Sequence, residues 1–351
     1  MSAITLTSLT KRFGEALAVD QLDLRIAEGE LVALLGPSGC GKTTTLRMIA
    51  GFETPTAGMV RIGDKEVTGL PPEKRNCGMV FQNYALFPHL TVHENVAFGL
   101  QMRGAKRSEI MERTAAILDK VGLKELHHRR PRQLSGGQQQ RTALARALVI
   151  SPAVLLLDEP LANLDAKLRE EMRFYIRRLQ REFHITTVYV THDQAEAMVL
   201  ADRIAVMMNG QLKQVGAAED LYRRPATAEV ADFVGVTNLM PGVVKERHGT
   251  QAVLETRVGL LRAEAAESLR AGDEGWLSVR PEDLELAAGD GDNRIPGTVR
   301  ARAFLGNLAD YRVEVAGGHM LRFQAQPGAR PREGDQVLLR FSPAAGWAIP
   351  R

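Results

Sequence analysis

Three short stretches hold residue types whose spacing suits phosphate chemistry. Gly36-Pro37-Ser38-Gly39-Cys40-Gly41-Lys42-Thr43 fits the pattern G-x-x-x-x-G-K-[ST]. In that loop, glycines let backbone N–H groups curl around phosphate oxygens, the lysine adds a cation and the following hydroxyl suits a divalent metal. Val154-Leu155-Leu156-Leu157 runs into Asp158-Glu159, placing two carboxylates at the end of a buried strand. One can reach a metal shell while the next faces an attacking water, an arrangement for hydrolysis rather than binding alone. Leu134-Ser135-Gly136-Gly137-Gln138 opens a helical stretch from Gln139 to Val149. It puts a hydroxyl and two unencumbered N–H groups at a helix N-terminus, a second anion-seeking element. Standing alone, Ser135 reads more readily as a plain helix cap.

The elements that must position these residues follow from apolar patterning. Leu31–Leu35 is a continuous apolar run before the glycine loop, and a helical pattern starts at Lys42, the strand–loop–helix order of a nucleotide site. Val154–Leu157 and Thr187–Val190 are further runs of buried-strand type, and together they predict a parallel sheet. Between about 83 and 149 the strand signal fades. Ile110, Met111, Ala115, Ile117, Leu118 and Val121 recur at helical spacing there, predicting an inserted helical subdomain. The basic stretch Lys124–Arg132 within it reads as a solvated face.

After Phe233-Val234-Gly235 the texture changes to short β-like runs broken by Gly and Pro. These are Gly275–Arg280, Thr298–Leu305, Tyr311–Val315, Met320–Gln324 and Gln336–Phe341. The expected fold class is therefore α/β over 1–235, followed by a small all-β barrel or sandwich over 236–351.

Composition narrows the function classes. Lys+Arg 45 against Asp+Glu 42 gives +3, not the basic footprint of a dedicated nucleic-acid binder. From Val236 to Arg351 basic and acidic residues are equal in number, so the barrel's aromatics Trp276, Phe304, Tyr311, Phe323, Phe341 and Trp347 read as core. Two cysteines, Cys40 and Cys77, make no disulfide framework and suit a reduced compartment. The start, Met1-Ser2-Ala3-Ile4-Thr5-Leu6, lacks signal-peptide features. The best charge-free apolar run, Ala147–Leu157, contains Pro152 and falls short of the ~20 residues of a membrane span. Any membrane role is expected to be peripheral.

The phosphate loop, Leu134–Gln138, Asp158-Glu159, Gln82 after Val80-Phe81, and His192 after Tyr189-Val190-Thr191 resemble, in order and spacing, the ATP-binding-cassette (ABC) ATPases. The resemblance covers essentially the whole first domain. It implies ATP and Mg2+ as ligands and a head-to-tail homodimer. The loop Gly36–Thr43, with Thr44, would face Leu134–Gln138 of a second copy across each nucleotide. Phe13 would stack on adenine, Thr43, Gln82 and Asp158 would serve the metal, and Lys42 and His192 would contact phosphate. Glu159 would orient water or deprotonate it; a glutamate is a weak base at neutral pH, and both roles stay open. Asp165 belongs to the inter-subunit loop Leu161–Asp165, where the family usually has Ser at the position of Ala162.

The residues around this engine resemble those of bacterial importers. Tyr84–Val96 looks like the segment that receives a cytoplasmic helix of a membrane subunit, with exposed apolar groups to fit a groove. Val279-Arg280-Pro281-Glu282 and Phe304-Leu305-Gly306 leading into Tyr311–Val315 resemble the accessory oligonucleotide-binding-like (TOBE) domain of importer ATPases. That resemblance implies an ATP-hydrolysing importer subunit on the cytoplasmic face of the inner membrane. It would be partnered by two membrane-spanning permeases and indirectly by a solute-binding protein, with no nucleic acid. Phe304–Val315 and Gly346-Trp347-Ala348-Ile349 lean the cargo toward polyamines, opines or phosphonates, with sugar or ferric iron next. The alternative is a soluble ABC ATPase acting on nucleic acid or ribosomes, which should carry a coiled-coil insertion or tandem cassettes; the sequence has neither. A regulatory role for the tail is an additional reading.

Overall fold

The computed structural model describes residues 2–287, 291–326, 328 and 331–351. Two compact units divide the chain, Met1–Ala218 and Glu219–Arg351. In the first, β1 (Ile4–Phe13), β2 (Ala16–Ile26) and β3 (Leu31–Leu35) precede α1 (Lys42–Ala50). Next come β4 (Ala57–Ile62), β5 (Lys65–Glu66) and β6 (Cys77–Val80), then the helices α2 (Val92–Met102), α3 (Arg107–Lys120) and α4 (Gly136–Leu148). The unit continues through β7 (Val154–Asp158), α5 (Ala166–Phe183), β8 (Thr186–Thr191), α6 (Gln194–Leu200), β9 (Arg203–Met208) and β10 (Gln211–Gly216).

The central sheet runs β10-β9-β3-β8-β7-β6, parallel except for the antiparallel edge strand β10. Its middle strands are apolar or β-branched throughout because both faces are covered. Leu31, Leu155, Leu157 and Tyr189 pack into a core with α2 to α5. Their strand neighbours Val32, Leu34, Val154, Leu156, Val188 and Val190 pack on the other side against α1 and the antiparallel sheet β2-β1-β4-β5. The central strands end in Leu35, Asp158 and Thr191. The residues that follow them therefore emerge on one edge of the sheet, where doubly covered parallel sheets place ligands.

Helices α2, α3 and α4 occupy the region predicted to be helical between about 83 and 149. The buried side of α3 is Ile110, Thr114, Ile117, Leu118 and then Val121, whereas Met111 and Ala115, predicted on that side, are exposed. Thr114 fills the slot instead, since Thr114 and Ile117 fall on one stripe with Ile110 and Val121. The expectation of exposed apolar groups in Tyr84–Val96 also changes. Tyr84, Val92 and Val96 are buried and Leu86 packs on the same core, leaving Ala85, Pro88 and His89 outside.

The second unit opens with α7 (Ala218–Arg223, of which only Ala218 falls in the first unit) and α8 (Ala228–Val234). A closed barrel follows, built from β11 (Asn238–His248), β12 (Gln251–Thr256), β13 (Gly259–Ala265), β14 (Glu274–Val279) and, from the chain end, the strand Gly346–Pro350. The intervening β15 (Glu285–Leu286), β16 (Arg294–Phe304), β17 (Ala309–Val315), β18 (His319–Ala325) and β19 (Gln336–Arg340) form a five-stranded sheet ordered β15-β19-β16-β17-β18, and Gly346–Pro350 is β20. Tyr311 and Phe323 stack in its core with centroids 5.3 Å apart, while Phe304, expected inside, is 64% exposed.

The predicted boundary at 235 falls later than the observed division because α7 and α8 are bonded to the barrel. The Arg280 guanidinium, 3% exposed, donates to the carbonyls of Tyr222 (2.6 Å), Ala231 (3.0 Å) and Gly235 (2.9 Å). Its plane also lies 3.9 Å from the Tyr222 ring centroid.

Candidate functional site

The loop after β3 is shaped by where a side chain is impossible. A Cβ at Gly36 would run into the Met207 carbonyl and Cys40 Sγ. Gly39 and Gly41 sit at φ +81° and +100°, which residues with a Cβ rarely adopt. Lys42 is 5% exposed, and its Nζ donates back to the carbonyls of Gly36 (2.7 Å) and Pro37 (2.9 Å). The loop thus encloses its own cation at the N-terminus of α1. One residue later, Thr43 Oγ1 donates to Asp158 Oδ1 at 3.0 Å. Burial raises the Asp158 pKa above the usual carboxylate value, partly offset by that hydrogen bond.

Glu159 leaves the strand at φ +43°, a left-handed turn that costs about 1–2 kcal/mol for a residue with a Cβ. Its amide is held by the Val190 carbonyl at 3.0 Å. The turn aims the carboxylate between two partners. Gln82 Nε2 donates to Oε2 at 3.3 Å, and His192 Nδ1 lies 3.2 Å from Oε1. Five sequence-predicted residues, Thr43, Gln82, Asp158, Glu159 and His192, therefore form two hydrogen-bonded groups at the ends of β7 and β8, with Lys42 preceding Thr43 in the loop.

Sequence reasoning missed the residues that hold this arrangement. Asn163 Nδ2 donates to the Gln82 carbonyl at 2.8 Å, fixing the glutamine from the loop that contains Ala162 and Asp165. Behind His192, Glu196 Oε2 accepts from Tyr189 and Thr191, both at 2.8 Å. Thr191 Oγ1 in turn accepts from the Asp193 amide at 2.9 Å. Arg173 of α5 donates to Asp193 Oδ2 at 3.2 Å. A glutamate only 4% exposed needs such donors, and burial still raises its pKa. The available signal was the arginine repeat at 169, 173 and 177, four apart on one face of α5.

Other predicted residues lie apart from this cluster. Ser135 caps α4: its Oγ accepts from the Gln138 amide at 3.4 Å, and Gln138 Oε1 accepts from the Ser135 amide at 3.0 Å. Gly136 and Gly137 pack tightly, since a Cβ would meet Leu164 or Leu168, and Leu134 is buried. None of the hydrogen bonds given by Leu134–Gln138 reaches Gly36–Thr44 among the described residues. Asp165 Oδ1 caps α5 through the Leu168 amide at 2.9 Å. Phe13 ends β1 half-exposed, with Lys11 Nζ 4.8 Å from its ring centroid. Leu134–Gln138 is thus a well-formed helix start, with Ser135 and Gln138 in a reciprocal cap.

Comparison with known proteins decides the family. The ABC transporter family model matches residues 19–162, and the TOBE domain model matches residues 277–349. The spermidine/putrescine import ATP-binding protein PotA of Rubrobacter xylanophilus is 48% identical, over 97% of this chain and 91% of that protein. The Fe(3+) ions import ATP-binding protein FbpC of Agrobacterium fabrum is 45% identical, over 97% and 95%. The chain belongs to the ABC transporter import ATP-binding proteins. Among solved structures, the ATP-binding cassette MJ0796, a dimeric post-hydrolysis state bound to ADP and Pi, superimposes with TM-score 0.55 at 36% identity, covering 61% of this chain and 98% of that one. The import ATP-binding chain is an ATPase, with an α/β cassette followed by an all-β TOBE domain.

Proposed function

We propose that this chain powers uptake of a small solute, of the polyamine, opine or phosphonate group before sugar or ferric iron, by hydrolysing Mg·ATP at Glu159. The single observation that carries the hydrolytic assignment is the Glu159 carboxylate held between Gln82 and His192, next to a phosphate loop. Gly36–Gly41 and Lys42 take the β- and γ-phosphates, Thr44 adds to the loop, and Phe13 covers the adenine. The Thr43 hydroxyl and the Asp158 carboxylate, 3.0 Å apart, are hard oxygen donors suited to Mg2+, with Gln82 beside them. When bound, that ion neutralises charge on the transferred phosphoryl group. Glu159 orients the attacking water, while His192 both contacts the γ-phosphate and holds the glutamate by its Nδ1.

Among the described residues, Leu134–Gln138 makes no hydrogen bond to the phosphate loop of its own chain, which supports a nucleotide partner from elsewhere. A second copy in head-to-tail register supplies one, with Asp165 at the interface. The named relatives import spermidine/putrescine or Fe(3+), which supports two permease subunits and a solute-binding protein as the remaining partners. No helix among the described residues is long and apolar enough to cross a membrane. The proposed location is peripheral, on the cytoplasmic face of the bacterial inner membrane.

The test is to purify the tagged chain from gently solubilised native membranes and identify what accompanies it by mass spectrometry. Multi-span subunits, with a binding protein that takes up polyamine on titration, are the expected result. A preparation containing only ribosomal or DNA-associated proteins would overturn the transport assignment.

A further inference from the structure

Two and three residues after Gln82, Tyr84 and Ala85 both take left-handed backbone conformations, at φ +62° and +44°. Neither is glycine, so this elbow persists only because its surroundings impose it. The imposing group comes from the helix that Ser135 opens. Arg146, in the last turn of α4, sends Nη2 to the Tyr84 carbonyl at 2.7 Å and Nη1 to the Ala85 carbonyl at 2.6 Å. Its guanidinium also lies 5.6 Å from the Phe87 ring centroid. One planar fork therefore grips two consecutive strained carbonyls, a geometry that a lysine ammonium cannot reproduce.

We propose that Arg146 is a positioning residue that clamps the Tyr84–Ala85 elbow and thereby holds Gln82 against Glu159, tying the signature helix to the hydrolytic cluster of the same chain. The fork's hydrogen bonds go to backbone carbonyls. It acts by making a costly backbone conformation the stable one, so that Gln82 Nε2 stays within hydrogen-bond reach of Glu159. Movement of α4 upon engagement of Ser135 moves the fork and so the glutamine. The clamp deepens the role given above to Gln82 and rests on it.

Hydrogen exchange on the nucleotide-free chain and steady-state ATPase kinetics test it together. The Tyr84 amide, bonded to the Phe81 carbonyl at 2.8 Å, reports the elbow. In Arg146→Ala, peptides spanning Gln82–Phe87 should exchange about tenfold faster while those of α5 do not change. The value of kcat should fall about tenfold with KM for ATP within twofold, because the phosphate loop is untouched. Arg146→Lys should lie between. Ala85→Gly makes a left-handed residue inexpensive, so in that background the loss caused by either Arg146 variant should shrink at least threefold.

Wild-type exchange and kcat in Arg146→Ala would overturn the proposal, as would a loss undiminished by Ala85→Gly. If Arg146→Ala fails to fold, the Arg146→Lys and Ala85→Gly pair makes the same comparison with the same two outcomes. The exchange arm reads the clamp alone. Faster exchange with unchanged kcat would therefore overturn the role of Gln82 and leave the clamp standing.

Discussion

Asp158 and Glu159 are adjacent carboxylates that the fold treats differently. Asp158 ends a buried strand, accepts one hydroxyl and has its pKa raised by burial; Glu159 turns outward between an amide and an imidazole. The sign for stability follows from the Asp158 shift. A carboxyl whose folded-state pKa lies above its ordinary 3.8 stabilises the fold below that value. The contribution is lost as pH rises through the raised one. At neutral pH the nucleotide-free protein therefore carries an unfavourable buried charge. Asp158→Asn keeps the acceptor for Thr43 and removes that charge. Its melting temperature should exceed that of the wild type at pH 7, and the gap should close as pH falls toward 4. Thermal unfolding followed across that range checks it; equal melting temperatures at pH 7 would contradict the assignment. The same substitution should abolish Mg2+-dependent hydrolysis.

At the scale of elements, the parts legible in the sequence were those whose signal is local. Leu31–Leu35, Val154–Leu157 and Thr187–Val190 are apolar runs because both faces of the central sheet are covered, and they appear as β3, β7 and the middle of β8. The phosphate loop was readable because its glycines answer to backbone constraints. What stayed hidden was set by distant partners. Strands β11, β12 and β13 bury only alternate residues, and their Arg and Glu positions face outward, so no apolar run marks them. Gly346-Trp347-Ala348-Ile349, read as a cargo cue, lies in β20, the strand that closes the barrel beside β13 and β14. Asn163 and Arg146 serve the site by gripping carbonyls, and spacing along the sequence carries no trace of that. Arg280 is a third such case. Arg280→Ala would strand the carbonyls of Tyr222, Ala231 and Gly235 and should cost about 3 kcal/mol or more at 1–3 kcal/mol per unsatisfied group. A urea titration of the chain should show an earlier transition for the second unit, with nucleotide binding retained by the first.

At the scale of the whole molecule, the proposed reaction requires two chains. Among the described residues no hydrogen bond joins Leu134–Gln138 to Gly36–Thr44 within one chain, and under the proposed function each nucleotide takes one element from either copy. Ser135→Arg places bulk and charge at the start of α4 where phosphate would sit, and also removes a helix cap worth about 1 kcal/mol. That variant should bind ATP as a monomer and fail to pair, which light scattering at saturating ATP would show; ATP-driven pairing would refute the assignment of the second anion site. The most direct test of the central claim is the combined measurement of mass and phosphate release in Glu159→Gln. ATP, and not ADP, should double its mass while hydrolysis falls by about 10²-fold or more, because both phosphate sites survive and only the water-orienting carboxylate is lost. Hydrolysis at the wild-type rate, with no ATP-locked dimer, would contradict it.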